Sequence, residues 1–178
     1  MRKTILAIIA IVFAALVLLL LFGIVNKIDK IRHISERIKT LPSFSFFTLN
    51  NEPFNSSDIS EGPLLVVLFH PECEHCHYEI SELMESSLSL SGSTIVLVSS
   101  AARDSIRKFI NQFDNIQATN LIPLADTSYQ FGDIFGSSVV PSNYIYDKEL
   151  KLVKVLYGEV KTETILKYML RDEDDRQN

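Results

Sequence analysis

The chain has 178 residues, 47% of them hydrophobic, and 17 Lys and Arg against 22 Asp and Glu give it a net charge of −5. That is enough for one domain with its own core plus one further segment, since domains run ~100–150 residues. The acidic balance excludes a nucleic-acid binder, which needs a basic footprint, and a chain with two cysteines in all is not a disulfide-stapled scaffold.

Thr4 to Val25 contains no charged residue and is dominated by Leu, Ile, Val, Ala and Phe; Arg2 and Lys3 precede it. A membrane span needs about 20 apolar residues, whereas a cleaved leader has a core of roughly 7–15 followed by a small-residue cleavage site. The chain after Val25 reads Asn26-Lys27-Ile28, which is not such a site, and no cysteine follows that can carry a lipid. Residues 1–25 are therefore read as an uncleaved membrane anchor, crossing with residues 4–25. Two basic residues precede the span and five lie between Lys27 and Lys39. Counting Lys and Arg alone puts the C-terminal side in the cytoplasm; the cysteine chemistry below argues for the opposite side. Residues 1–41 carry a net +5, which leaves −10 on residues 42–178. The basic part suits a membrane surface.

Residues 26–42 form a linker. Ile28, Ile31, Ile34, Ile38 and Leu41 recur at helical spacing, which predicts a short amphipathic helix continuing from the span and closed by Pro42. A stalk lying on the membrane or packing on the domain is the first reading, a dimerising coil the second.

The domain is expected over residues 43–170, with a charged, frayed tail at 171–178. Phe44 to Leu49 reads as a strand, Asn50-Asn51 as a turn and Glu52 to Phe54 as the return. Leu64 to Phe69 is a continuous apolar run of strand length, as in a sheet covered on both faces. A helix follows from Cys73 to Ser89, with Ile80, Leu83, Met84 and Leu88 on one stripe. Thr94 to Val98 is a second buried strand, and Arg103 to Phe113 an amphipathic helix. Leu121 to Leu124 reads as a short strand, Thr127 to Phe135 as a helix, and Val139 to Tyr146 as a strand interrupted by Pro141. Leu152 to Tyr157 pairs back after a turn at Lys148-Glu149-Leu150, and Thr162 to Leu170 closes the domain as a helix. This order implies an α/β fold with a central sheet. The last two strands are joined by a turn too short for a crossover, so they are antiparallel and the sheet is mixed. The many Phe and Tyr residues are assigned mostly to the core.

Chemistry concentrates in His70-Pro71-Glu72-Cys73-Glu74-His75-Cys76-His77-Tyr78-Glu79. A buried strand feeds this stretch and a helix leaves from it. Cys73 then sits at the positive end of a helix, where free N–H groups favour a thiolate, and only the thiolate attacks disulfides. Cys76, about one turn along, is close enough to resolve the mixed disulfide. His75, when charged, favours the Cys73 thiolate, while Glu72 and Glu74 oppose it; the residue types pull in opposite directions. Glu79, if buried beside Cys76, has a raised pKa and can relay a proton. His70, His75 and His77 with the two cysteines also raise a metal site, but ligands on one helical turn rarely close a zinc shell, so no metal is assigned. A copper or other metal chaperone using the same sulfurs and a thiol peroxidase attacking peroxide through Cys73 are the alternatives; an activating Arg beside Cys73 is not evident for the latter.

The stretch resembles the thioredoxin superfamily, and within it the membrane-tethered oxidoreductases of the TlpA/ResA type. Cys73-Glu74-His75-Cys76 after an apolar strand, Glu79 three residues on, and Val139-Val140-Pro141-Ser142-Asn143-Tyr144-Ile145-Tyr146-Asp147 carry the likeness over roughly Ser43 to Leu170. The family's usual Trp before the first cysteine is Glu72 here, and the dipeptide between the cysteines, often Glu-Pro or Pro-Pro, is Glu74-His75. The resemblance implies a thioredoxin-like fold, a cis Pro141 that shapes a substrate groove with Val140, and a redox disulfide between Cys73 and Cys76. It implies no cofactor. Partners would be protein dithiols or disulfides, apocytochrome c and envelope proteins among them, and a membrane electron donor or acceptor. It places the domain on the periplasmic, oxidising side of a bacterial cell membrane.

Overall fold

The structure is a computed structural model that describes residues 2–60, 62–86, 90, 92–113 and 120–169; of residues 2–12, 14 and 120 it describes the backbone alone. It divides into two compact units, Met1–Glu36 and Arg37–Asn178. The first lies within one continuous helix, α1 (Arg2–Arg37), which enters the expected linker without a break and ends inside it, at Arg37. Phe13, Leu18, Leu19 and Phe22 stand exposed along it. Among the described residues no helix is long and apolar enough to cross a membrane, and much of the expected span, residues 4–12 and 14, lies where side chains are not described.

The second unit is built on a seven-stranded sheet: β1 (Ser45–Thr48), β2 (Pro53–Asn55), β3 (Leu64–Leu68), β4 (Thr94–Ser99), β5 (Asn120–Ala125), β6 (Ser142–Tyr146) and β7 (Leu152–Tyr157), in the spatial order β2-β1-β5-β4-β3-β6-β7. The three central strands run parallel, and β1, β6 and β7 pair antiparallel to their neighbours. The sheet is therefore mixed, and the short turn between β6 and β7 makes them an antiparallel pair, as expected. Every residue of β3 is buried, because side chains alternate between two covered faces. Leu65 and Val67 join one core with Ile95, Leu97 and Ile145. Helices α2 (Glu74–Glu85), α3 (Arg103–Ile110) and α5 (Thr162–Met169) close that core through Ile80, Ile106, Phe109 and Ile165. A second, aromatic cluster joins Phe44, Phe46, Phe131, Phe135 and Tyr144 around the short helix α4 (Phe131–Phe135). The Tyr144 hydroxyl donates to the Phe135 carbonyl at 3.1 Å, so this ring is buried with its polar end satisfied.

Several boundaries differ from the sequence expectation. The domain reaches back to Arg37 rather than Ser43. Ile38 is buried, Leu41 N–H donates to Leu150 O, Leu152 N–H to Lys39 O, and Thr40 bridges Lys151. The helix expected from Thr127 is confined to Phe131–Phe135, because the buried Asp126 carboxylate takes the N–H groups of Gln130 and Phe131 at 3.0 and 2.8 Å and Tyr129 adopts φ 57°. Pro141 keeps β6 from starting before Ser142. Helix α3 ends at Ile110, with Phe113 packed half-buried against the core beyond it. Leu88 and Ser89, expected to end α2, together with Leu170 and the tail at 171–178, lie outside the described residues.

Candidate active site

The hydrophobic strand β3 delivers the reactive stretch to the surface of the sheet. Phe69 N–H still donates to Val98 O, and the chain then turns, with Cys73 N–H donating to His70 O at 3.0 Å. Cys73 is the N-cap of α2, with extended backbone at φ −86° and ψ 112°, one position before the first helical residue. Its Sγ accepts the N–H of Cys76 at 3.3 Å, so the sulfur takes the place an Asp or Ser oxygen holds at other helix starts. Both cysteines are thiols, Cys73 half-buried and Cys76 buried.

The two sulfurs are electrostatically unequal. Burial pushes the Cys76 thiol far above the ordinary range, and its hydrogen bond with Cys73 and the nearby Glu79 push the same way. Cys76 is thus a neutral thiol at neutral pH, and the accessible sulfur is that of Cys73.

Glu79, one turn further along α2, is fully buried. Asn143 Nδ2 donates to its Oε1 at 3.0 Å, and Val160 N–H donates to its Oε2 at 2.7 Å. Burial raises its pKa above the ordinary carboxyl value, the two donors work against that rise, and Glu159 adds to it. A buried carboxylate held by two donors and set near a buried thiol is equipped to hold or release one proton.

His75 stands exposed, with Nδ1 at 2.6 Å from Glu159 Oε2. Its expected tuning partner, the Cys73 sulfur, is therefore not the group its ring engages. Glu74 is exposed in the first turn of α2. The Val140–Pro141 peptide is cis; Pro141 is buried and Val140 half-buried. Sequence reasoning missed the segment that joins these parts. Gly158 N–H donates to Pro141 O, the Glu159 carboxylate meets His75, and Val160 N–H meets Glu79. A backbone N–H carries no signal in residue type, so Val160 was invisible. Asn143 was not: an Asn inside an apolar strand run requires a polar partner.

Cys73 opens onto a shallow groove of about 510 Å³ whose lining includes Glu72, Glu74, Tyr78, Glu82 and Glu85. Val140 lines a separate pocket of about 240 Å³ with His70, Tyr129 and Phe131. Among the described residues no group of three or more His, Cys, Asp or Glu is arranged to hold a metal ion.

Against known proteins, the model of the AhpC/TSA family matches residues 39–155. No curated protein matches the chain. Among solved structures, DsbF of Mycobacterium tuberculosis superposes with a TM-score of 0.63 at 19% identity, over 75% of this chain and 95% of that one. A thiol:disulfide interchange protein DsbE from Chlorobium tepidum gives 0.64 at 14%, over 75% and 95%. Peroxidoxin BcpB from Mycobacterium tuberculosis gives 0.62 at 16%, over 75% and 96%. At these identities the likeness establishes the thioredoxin-like fold.

Proposed function

From the premise that the chain belongs to the AhpC/TSA family and is a thiol–disulfide oxidoreductase, we propose that it exchanges disulfides with protein partners through Cys73 and Cys76. The observation that carries this reading is the inequality of the two sulfurs: Cys73 half-buried at the helix start, Cys76 sealed beneath it as a neutral thiol. The Cys73 thiolate attacks a partner disulfide; one partner sulfur leaves, and a mixed disulfide forms. Cys76 then gives its proton to Glu79, its sulfur bonds that of Cys73, and the second partner sulfur leaves as a thiolate that water protonates. The partner is reduced by two electrons and the Cys73–Cys76 pair is oxidised; the reverse sequence oxidises a dithiol. Val140 and Pro141 shape the side on which the partner strand lies, and Glu74 and His75 colour the charge around Cys73. The test is a Cys76→Ser chain expressed in cells. It is expected to accumulate mixed disulfides that disappear in Cys73→Ser/Cys76→Ser; no accumulation overturns the reading.

In this reading the protein is of the TlpA/ResA type, tethered by residues 4–25, with its domain on the periplasmic side of the cell membrane. What supports it is the charge-free run from Thr4 to Val25, the unbroken helix through it and the resemblance to the TlpA/ResA type, whose tethered members face the oxidising side of the membrane. Partners there include apocytochrome c or envelope proteins, and a membrane protein that supplies or takes electrons. A reporter fused after Asn178 is expected to be active only outside the cytoplasm; cytoplasmic activity overturns this placement.

The family description and the likeness to a peroxidoxin favour a second reading. Cys73 would attack a peroxide, release water or an alcohol, and form a sulfenic acid that Cys76 condenses to the disulfide with loss of water. Among the described residues the groove at Cys73 is lined by four glutamates and by no Lys or Arg, so no Lys or Arg there meets the departing oxygen anion. Peroxide consumption by the reduced protein, with a Cys73 sulfenic acid trapped in Cys76→Ser, would establish it.

A further inference from the structure

Asn143 sits in the middle of β6, opposite Val67 of β3 and Leu156 of β7, and is fully buried. Its amide has two ends with opposite hydrogen-bonding character. Nδ2 donates to Glu79 Oε1. Oδ1, equally buried, has no hydrogen-bond partner among the described residues. An amide turned over by 180° would therefore give up no second bond at its far end. Which end faces Glu79 is decided by Glu79 alone.

The other partner of Glu79 fixes where a proton goes. The Val160 N–H donates to Oε2, and a backbone N–H cannot accept. Oε2 must stay an acceptor whether or not the carboxyl is ionised. The carbonyl oxygen of a carboxylic acid accepts better than its hydroxyl oxygen, so the Val160 bond favours a proton on Oε1, the oxygen that faces Asn143, and an Oε1–H group needs an acceptor where Nδ2 now stands.

We propose that Asn143 is a positioning residue whose side-chain amide turns over with the proton on Glu79, donating through Nδ2 to the carboxylate and accepting through Oδ1 from the carboxylic acid. Each protonation state then has its own matched partner, and neither leaves Glu79 with an opposed donor or acceptor. The part this plays in exchange rests on the reading of Glu79 as the proton carrier of the resolving step. The titratable groups that face Glu79 are Cys76 from its own helix and Glu159 from the segment after β7, the latter engaged by His75. β6 offers only the amide, and α5 offers apolar Ile165 and Met169 to this core.

The test uses the full chain, labelled with nitrogen-15 at asparagine and held in the disulfide form so that no thiol titrates. The Asn143 side-chain amide protons, identified by their loss in Asn143→Leu, are expected to shift with the same midpoint as the Glu79 carboxyl carbon. Asn143→Leu, which removes the donor, is expected to raise the Glu79 midpoint by about one to two pH units. Asn143→Asp keeps the shape and is expected to hold one proton shared between two carboxyls above the wild-type midpoint. An Asn143 amide that stays still while Glu79 titrates, with the Glu79 midpoint unmoved in both variants, overturns the proposal. If the amide follows Glu79 but Glu79→Gln exchanges disulfides at the wild-type rate, the coupling stands and the proton-carrier reading falls.

Discussion

A single helix start gives two chemically similar side chains opposite roles. Cys73 is the N-cap and meets solvent; Cys76, three residues on, faces the core. Because only a thiolate is nucleophilic, native protein at neutral pH is expected to take one equivalent of iodoacetamide at Cys73. Cys76 should react only after unfolding, as peptide mass mapping would reveal. Equal labelling of both sulfurs in the native state would contradict the inequality. Glu79 yields a pH prediction. Its folded pKa is raised, so it binds its proton more tightly in the folded chain than in the unfolded one. Its contribution to stability is complete below the ordinary carboxyl value of about 4.3 and is lost as pH rises through the raised folded value. Glu79→Gln, which cannot ionise, lacks this loss. Thermal unfolding followed against pH is therefore expected to show the wild type losing ground to the variant from about pH 4.3 upward, with the gap levelling once Glu79 is ionised. A gap that does not change with pH would show that burial does not hold the proton there.

Elements in this domain are set by packing faces and by a few caps. Helix α2 carries Ile80 and Leu83 fully into the core, and Ile80→Ala is expected to cost about 2–5 kcal/mol in urea unfolding. Helix α4 is a different case. Five residues make a helix too short to persist alone; it is held by the aromatic stack of Phe131 and Phe135 and by the Asp126 carboxylate on two N–H groups. Asp126→Ala is expected to lower stability by about 0.5–2 kcal/mol. It should also speed hydrogen exchange at Gln130 and Phe131 before it affects β3 or β4. Uniform loss of protection across the sheet would mean that Asp126 supports the whole core rather than this helix. The spacing of apolar residues made α2 and α3 legible, because each buries one stripe. The sequence reading overextended α4 toward Thr127, since capping by an upstream Asp is a contact that residue order does not encode.

At the scale of the molecule, the domain edge is the clearest departure from the sequence reading. Pro42 looked like the boundary, yet Ile38 is buried and residues 39–41 bond to the β6–β7 turn through Leu41 and Lys39. A chain of residues 37–178 is therefore expected to be more stable than one of residues 43–178, by about 1.5–3 kcal/mol for the buried Ile38 side chain. Chemical denaturation of the two would measure the difference. Identical midpoints would place the boundary at Pro42 after all. The acidic groove at Cys73 and the −10 charge of residues 42–178 belong to this same scale: a partner meets the charge of the whole domain before it meets the sulfur.

Residue order alone determined the alternation of strands and helices, the antiparallel closing pair and the place of Cys73 and Cys76 at the end of a buried strand. All of these are local: they follow from hydrophobic period, turn length and a two-residue spacer. Only the folded chain decided that Cys76 is sealed while Cys73 is open, that Glu79 rests between Asn143 and Val160, and that Gly158 to Val160 ties Pro141, His75 and Glu79 together. The contacts of Glu79 and of His75 join residues more than sixty positions apart, and the bonds from Gly158 and Val160 are made by backbone N–H groups that every residue but proline possesses. No pattern of side-chain types records which of those groups the fold will bring to a buried carboxyl.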